Sequence, residues 1–307
     1  MCVANENVAI LLATYNGGAF LNQQLDSFKT QSHSSWSLYV SDDGSTDDTL
    51  KIIQEFSLSN RNVKIHHGPG KGFAQNFMSL IVDPSISANY YAFSDQDDIW
   101  CQNKLSSAVA FLKKVPAHMP AVYCSRSILI DGDNKKIGCS PLYKKPAFFQ
   151  NSLLQNIASG NTMIFNHKAR TLLAKLQNEP MIAHDWSLYQ VVTACGGVVY
   201  YDQEPMVLYR QHSNNIIGNG MSPLRRLKNF CSAMNGRTAN WNDININLLN
   251  CLDIELTDEA KKNIAAIKLM RNSSFFSRLH LYFNNKFYHQ TVIGNLTNFF
   301  YVILNKF

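Results

Sequence analysis

The sequence predicts an α/β fold, a mainly parallel sheet flanked by helices, with a helical appendage at the C-terminal end. Short apolar runs alternate four times with helix-period segments in about the first 95 residues, and each run ends in a polar loop. From Met221 onward only helical periodicity remains, which places a boundary between 1–220 and 221–307.

The first run, Val8 to Ala13, is continuous, apolar and too short for a helix, and it delivers Thr14, Tyr15 and Asn16 at its end. Phe20, Leu21, Leu25 and Phe28 then recur at helical spacing, which predicts a helix over Ala19 to about Thr30. A strand over Ser37 to Val40 leads into Asp42, Asp43, Gly44 and Ser45, and a helix begins near Asp47. The third strand, Val63 to Ile65, is followed by the glycine-rich stretch Gly68 to Gly72 and a helix from Phe73 to about Ile81. That stretch reads as a flexible turn; the alternative is a phosphate cradle, although it lacks the GxxxxGK[ST] pattern and does not follow the first strand.

The fourth strand, Tyr90 to Phe93, runs straight into Ser94, Asp95, Gln96, Asp97 and Asp98. Three carboxylates within four residues at the end of a buried strand repel one another and lose solvation. A divalent cation offsets such charge, and Asp95 and Asp97, one residue apart, reach a common point suited to Mg2+ or Mn2+. The plainer alternative is a polar turn in which Asp98 caps the helix expected from about Asn103. Ligands of parallel sheets bind beyond the carboxyl ends of the strands, so the loops at Thr14, Asp42 and Asp95 are expected to converge on one crevice. The chain has ATYNGG and no GxGxxG after its first strand, which disfavours a dinucleotide enzyme.

Composition narrows the class further. The 307 residues, 46% hydrophobic and 16% charged, suffice for a globular core. Seven cysteines without a CxxC pair argue against a zinc knuckle or a disulfide framework and fit a reducing compartment. The N-terminus lacks a basic region before its apolar run, and no run approaches a membrane span, so a cytoplasmic protein is expected. The net charge of +6 sits in 221–307, with 11 Lys/Arg against 5 Asp/Glu, while 1–220 balances at 17 of each. Charge alone suggests an anionic partner, membrane lipid or nucleic acid, or simply a solvated helical face.

The ordered set ATYNG, SDDGSTDDT and FSDQDDIW resembles the family 2 glycosyltransferases, inverting enzymes of the GT-A fold that take a sugar from a nucleotide diphosphate. The resemblance covers about the first 215 residues and implies a Rossmann-like, mixed and mainly parallel sheet. It implies that Thr14 and Tyr15 line the nucleotide, that Asp43 contacts base or ribose, and that Asp95 and Asp97 form the DxD motif, with Asp97 nearest the metal. It also assigns Asp185, in His184-Asp185-Trp186, as general base; the plainer alternative is an N-cap of the helix-like run Ser187 to Thr193.

Gly160 precedes a strand-like Thr162 to Phe165, where its bare backbone allows a sugar to approach. Two further strand-like stretches, Val198 to Tyr201 and Met206 to Tyr209, lead to Arg210, Gln211 and His212. The resemblance makes His212 a metal ligand, against a structural histidine. Arg210 either neutralises the diphosphate or pairs with a surface acid.

Within the family, FSDQDDIW with HDW and YRQH is similar to bacterial rhamnosyltransferases that use dTDP-rhamnose and build O-antigen or capsule repeats on a lipid carrier. The implied partners are a nucleotide-diphosphate sugar and a lipid-linked saccharide, with peripheral contact at the inner face of the membrane and no nucleic acid. Helical patterns over Ile244 to Leu252, Thr257 to Met270 and Phe275 to Tyr288 form the appendage, with a capped start at Thr257. Two rivals stand beside this reading. A nucleotidyltransferase would show a glycine- and arginine-rich loop after the first strand, and a non-catalytic sugar-binding module would have lost the acids that are present here.

Overall fold

The computed structural model describes residues 6–211 and 236–307. The first four strands are β1 (Val8–Thr14), β2 (Trp36–Asp42), β3 (Val63–His67) and β4 (Tyr90–Ser94), and all four run parallel in the order β3-β2-β1-β4. Between them lie α1 (Leu21–Lys29), α2 (Thr49–Ser59) and α3 (Phe73–Val82). The sequence predicts each of these elements to within a few residues, because a buried parallel strand must be apolar on both faces and its crossover helix must be amphipathic.

Beyond β4 the sheet becomes mixed. It continues through β8 (Ile164–Asn166), β6 (Ala121–Ile130), β9 (Val198–Arg210) and β5 (Ile99–Trp100), with β7 (Lys136–Cys139) paired to β6. β8 is antiparallel to both β4 and β6, whereas β6 and β9 are parallel to each other. The helices of this half are α4 (Lys104–Leu112), α5 (Phe149–Ser152), α6 (His167–Ala174) and α7 (His184–Ala194).

Two expectations are corrected here. Thr162 belongs to a 3-10 turn, Gly160–Thr162, because the N–H groups of Thr162 and Met163 bond to the carbonyls of Ser159 and Gly160; the strand starts at Ile164. The two strands expected after residue 198 are one 13-residue strand, β9, whose pairing with β6 skips register around Pro205. Proline removes a ladder donor there, and an irregularity in the pairing accommodates it.

Alternation along β1 splits the core. Val8, Ile10 and Leu12 pack with Leu25, Phe28 and Leu105, while Ala9 and Leu11 face Phe77, Phe93 and Leu188. The second side is completed by α8 (Arg237–Asn250), α9 (Asp258–Arg271), α10 (Phe275–Asn284) and α11 (Val292–Ile303). Leu249, Ile267 and Val302 from these helices are fully buried in the same cluster as Phe93. The hydroxyl of Thr257 accepts the N–H of Ala260 at 3.1 Å, which caps α9. The boundary expected at 220/221 lies outside the described residues.

Candidate active site

Because β1, β2 and β4 are parallel, their carboxyl ends lie on one edge, with Thr14 opposite Asp42 and Leu12 opposite Ser94. The polar loops are stitched together there. Thr14, 1% exposed, donates its hydroxyl to Asp42 Oδ2 at 2.7 Å. Asp42 in turn accepts the N–H groups of Gly44 and Ser45 and the Ser45 hydroxyl. Thr14 therefore acts through Asp42 on the loop's shape, whereas Tyr15, 60% exposed, presents its ring outward.

Asp43 sits at the same edge, and its carboxylate accepts the N–H groups of Gly70 at 2.6 Å and Gly72 at 3.0 Å. Both glycines have positive φ, which turns their N–H groups inward at little steric cost. The glycine stretch thus binds a carboxylate of its own chain, and a base or ribose at this edge would share Asp43 with it.

Gln96, between the two acids, escaped the sequence reading. Its side chain accepts the Tyr15 N–H at 2.9 Å and donates to the Tyr15 carbonyl at 3.0 Å, which clamps the acidic loop onto the end of β1. A Cβ on Gly17 would stand 2.2 Å from Gln96 Oε1, so the clamp requires glycine there.

Asp95 is half-buried, and its carboxyl is pushed up to about 7 by burial first, then by the charges of Asp97 and Asp185. Asp98 points inward and is fully buried, where it accepts from Asn161 Nδ2 at 2.5 Å and from the Arg210 N–H at 3.2 Å. Burial, with Asp97 and Asp95 nearby, holds it well above the usual carboxylate range. It does not cap α4, whose N-cap is Asn103.

Beneath the acids lies Lys104, fully buried, with Nζ 2.6 Å from the Asn161 carbonyl and 3.2 Å from the centroid of the Trp100 ring. Burial holds this lysine below its ordinary value against the pull of Asp98 and Asp95. Sequence reasoning missed Lys104 and Asn161 because nothing local marks them.

The acids carry a stability cost with a definite sign. A carboxyl whose native value exceeds its unfolded one holds more protons when folded, so stability falls as pH rises between the two values. For Asp95 that window runs from the ordinary 3.8 to about 7. Asp95→Asn is expected to raise Tm at pH 8 and to leave it nearly unchanged at pH 4. A lowered Tm at pH 8 would show that desolvation and repulsion of the charged Asp95 carboxylate are not what dominates at this loop.

Asp185 lies in the first turn of α7, whose N-cap is Ala183, so the N-cap alternative does not hold. Its Oδ2 accepts the Gly160 N–H at 3.0 Å and its Oδ1 the Trp186 N–H at 2.6 Å. Burial raises its carboxyl, with those two N–H groups opposing. Gly160 has a steric reason of its own to lack a side chain. A Cβ there would lie 2.9 Å from His184 Nε2 and 3.3 Å from Asp185 Cβ. His184 is itself fixed by stacking on Phe77 at 4.0 Å and edge-on to Phe93, and burial brings its ring down to about 3, which keeps it neutral.

Arg210 is a correction to the expectation that it meets a diphosphate or a surface acid. It is buried, with Nε on the Asp97 carbonyl, Nη1 on the carbonyls of Asp131 and Gly132 and on Asn134 Oδ1, and Nη2 on Gln23 Oε1. Its guanidinium lies 4.3 Å from the Phe20 ring centroid. It pins the acidic loop to the 131–134 turn from behind. His212 lies outside the described residues.

Acids at the carboxyl edge of a curled, mainly parallel sheet, with buried Asp185 close enough for its charge to act on Asp95, accompany a fold of the GT-A type. The chain belongs to glycosyl transferase family 2, whose model matches residues 9–173. It is 31% identical over 235 residues to a Shigella flexneri protein named dTDP-rhamnosyl transferase RfbG, covering 69% of this chain and 75% of that one. It is 26% identical over 234 residues to Escherichia coli WfaP, named a UDP-Glc:alpha-D-GlcNAc-diphosphoundecaprenol beta-1,3-glucosyltransferase, covering 75% and 87%. Among solved structures, S. aureus TarS 1-349 in complex with UDP-GlcNAc superposes with a TM-score of 0.55 over 97% of this chain and 90% of that one. At 15% identity that likeness speaks for the fold alone.

Proposed function

We propose that the chain is an inverting transferase that moves L-rhamnose from dTDP-rhamnose onto a hydroxyl of a lipid-linked oligosaccharide, in bacterial surface polysaccharide synthesis such as that of O-antigen. What supports the chemistry is that buried Asp185, held by the N–H groups of Gly160 and Trp186, lies close enough to Asp95 for its charge to raise that carboxyl. The donor is supported by the identity to the relative named for dTDP-rhamnosyl transfer, and a lipid-linked acceptor by the printed name of WfaP. A UDP-hexose donor is the second reading, because that relative is a glucosyltransferase.

In this mechanism Asp185 takes the proton of the acceptor hydroxyl as its oxygen attacks the anomeric carbon from the face opposite the diphosphate. A carboxyl raised by burial is the better base, and the N–H groups of Gly160 and Trp186 aim it. No covalent sugar–enzyme species forms, so the configuration inverts. The raised carboxyls of Asp95 and Asp98, with Asp97 between them, fit a divalent cation, Mg2+ or Mn2+, which Asp97 would hold with Asp95 and, as a further proposed ligand, His212. Among the described residues, which do not include His212, no three His, Cys, Asp or Glu side chains converge as a metal site. Such a cation, when bound, offsets the charge that grows on the leaving diphosphate. The protein is expected to work in the cytoplasm, peripheral to the inner face of the cell membrane.

Thermal shift against a panel of nucleotide sugars with Mn2+ tests the donor, and NMR of the product tests inversion. The largest shift is expected with dTDP-rhamnose, and EDTA is expected to abolish turnover. A shift with UDP-glucose alone would favour the second reading, and a product of retained configuration would end the single-displacement mechanism.

A further inference from the structure

Residues 260–307 contain seven Lys or Arg and no Asp or Glu. They make up most of α9 and all of α10 and α11. α11 turns Asn298, Tyr301 and Val302 inward and leaves Val292, Leu296 and Phe300 outward, spaced i, i+4 and i+8, with Ile293 beside them. Val292 and Ile293 are 74% and 73% exposed, and Leu296 and Phe300 more than half. α10 buries Arg278 and Tyr282 and exposes Phe276 and Phe283, seven residues apart on one side. The Phe283 ring lies 6.1 Å from that of Phe299, so the two apolar stripes meet across the helix pair.

A run of large apolar side chains this long on a surface marks an interaction site. Charge decides the partner. Exposed Lys286 and Lys306 follow the C-terminal ends of α10 and α11, and neither helix carries a carboxylate. The acids of the preceding segment at Asp243 and Asp253 pair with Arg271 and Lys261. A second copy of this chain would set cations against cations, whereas an anionic bilayer takes both the apolar stripe and its basic flanks. No helix among the described residues is long and apolar enough to cross a membrane. A 12-residue helix with one apolar face suits lying in the headgroup plane.

We propose that α10 and α11 form a membrane-docking face that sets Phe276, Phe283, Ile293, Leu296 and Phe300 at the headgroup–acyl boundary of an anionic bilayer, with Lys286 and Lys306 on lipid phosphates. This deepens the reading of a lipid-linked acceptor by assigning the surface that meets the lipid, and its test needs no sugar substrate.

The full chain is floated with vesicles of phosphatidylcholine alone and with added phosphatidylglycerol. The wild-type protein is expected to float with the anionic vesicles. The Ile293→Asn/Phe300→Asn double variant, altered only at exposed positions, is expected to lose about tenfold or more in partitioning at unchanged Tm. Lys286→Gln/Lys306→Gln is expected to weaken binding to anionic vesicles by about tenfold at low salt and to leave the neutral-vesicle signal unchanged. Wild-type-like flotation by both variants overturns the proposal, and so does a wild-type protein that ignores anionic vesicles. A dimer that Ile293→Asn/Phe300→Asn disperses without change in flotation would give the face to a second copy instead. Failure of the donor assignment leaves flotation untouched, so the two readings fall separately.

Discussion

Asp185→Asn is expected to lower kcat by between about a hundredfold and ten-thousandfold and to leave the Kd for the nucleotide sugar within a few-fold of wild type. The asparagine is nearly isosteric and its oxygen still accepts one of the two N–H groups, from Gly160 or Trp186, that hold the carboxylate. The other N–H then faces an amide donor, which costs about 1 kcal/mol. Removal of a buried negative charge that Asp95 feels offsets part of that loss. The fold should therefore survive while the proton acceptor disappears. Equilibrium titration of donor beside single-turnover kinetics separates the two effects. Near-wild-type turnover would take the base role away from this residue, and loss of donor affinity equal to the loss of rate would make it a binding group instead.

Arg210→Met is expected to destabilise the protein by about 3 kcal/mol or more. The methionine fills part of the volume but strands the carbonyls of Asp97, Asp131 and Gly132 and the side-chain oxygens of Asn134 and Gln23. It also removes a buried cation that the charges of Asp97, Asp98 and Asp131 favour. An arginine that met the diphosphate directly would give a different result, with donor affinity falling and Tm nearly constant. Urea denaturation with the m-value monitored, alongside donor titration at a temperature where the variant is folded, discriminates the two. A midpoint within error of wild type would refute the anchoring role.

Asp95 and Asp97 announce themselves because acids at the end of an apolar strand violate the local rule for burial, whereas Asp185 is reached only through the resemblance that His184-Asp185-Trp186 carries. Lys104 and Asn161 carry no such mark, and Asp98 carries it as the third acid of the cluster without showing which partners it meets. Their meaning lies in one another, since Asn161 donates to Asp98 and accepts from Lys104 across separations of 63 and 57 residues. Gly160 was legible as a special position, but not the crowding that a side chain would meet there from His184 and Asp185, 24 and 25 residues further on.

What the sequence determined alone is the set of four parallel strands with their crossover helices and the placing of their polar loops on one edge, while the order β3-β2-β1-β4 came from the tertiary structure. Apolar period, element length and the handedness of crossovers are properties of contiguous residues, so they survive being read one window at a time. Only the tertiary structure decided the mixed half, where β8 enters antiparallel, the turn at Gly160–Thr162 carries the Asp98–Asn161–Lys104 network, and Arg210 faces inward. Burial and pairing of charges depend on which distant segments come to cover them. A carboxylate or guanidinium has the same local spelling whether it meets water or a carbonyl.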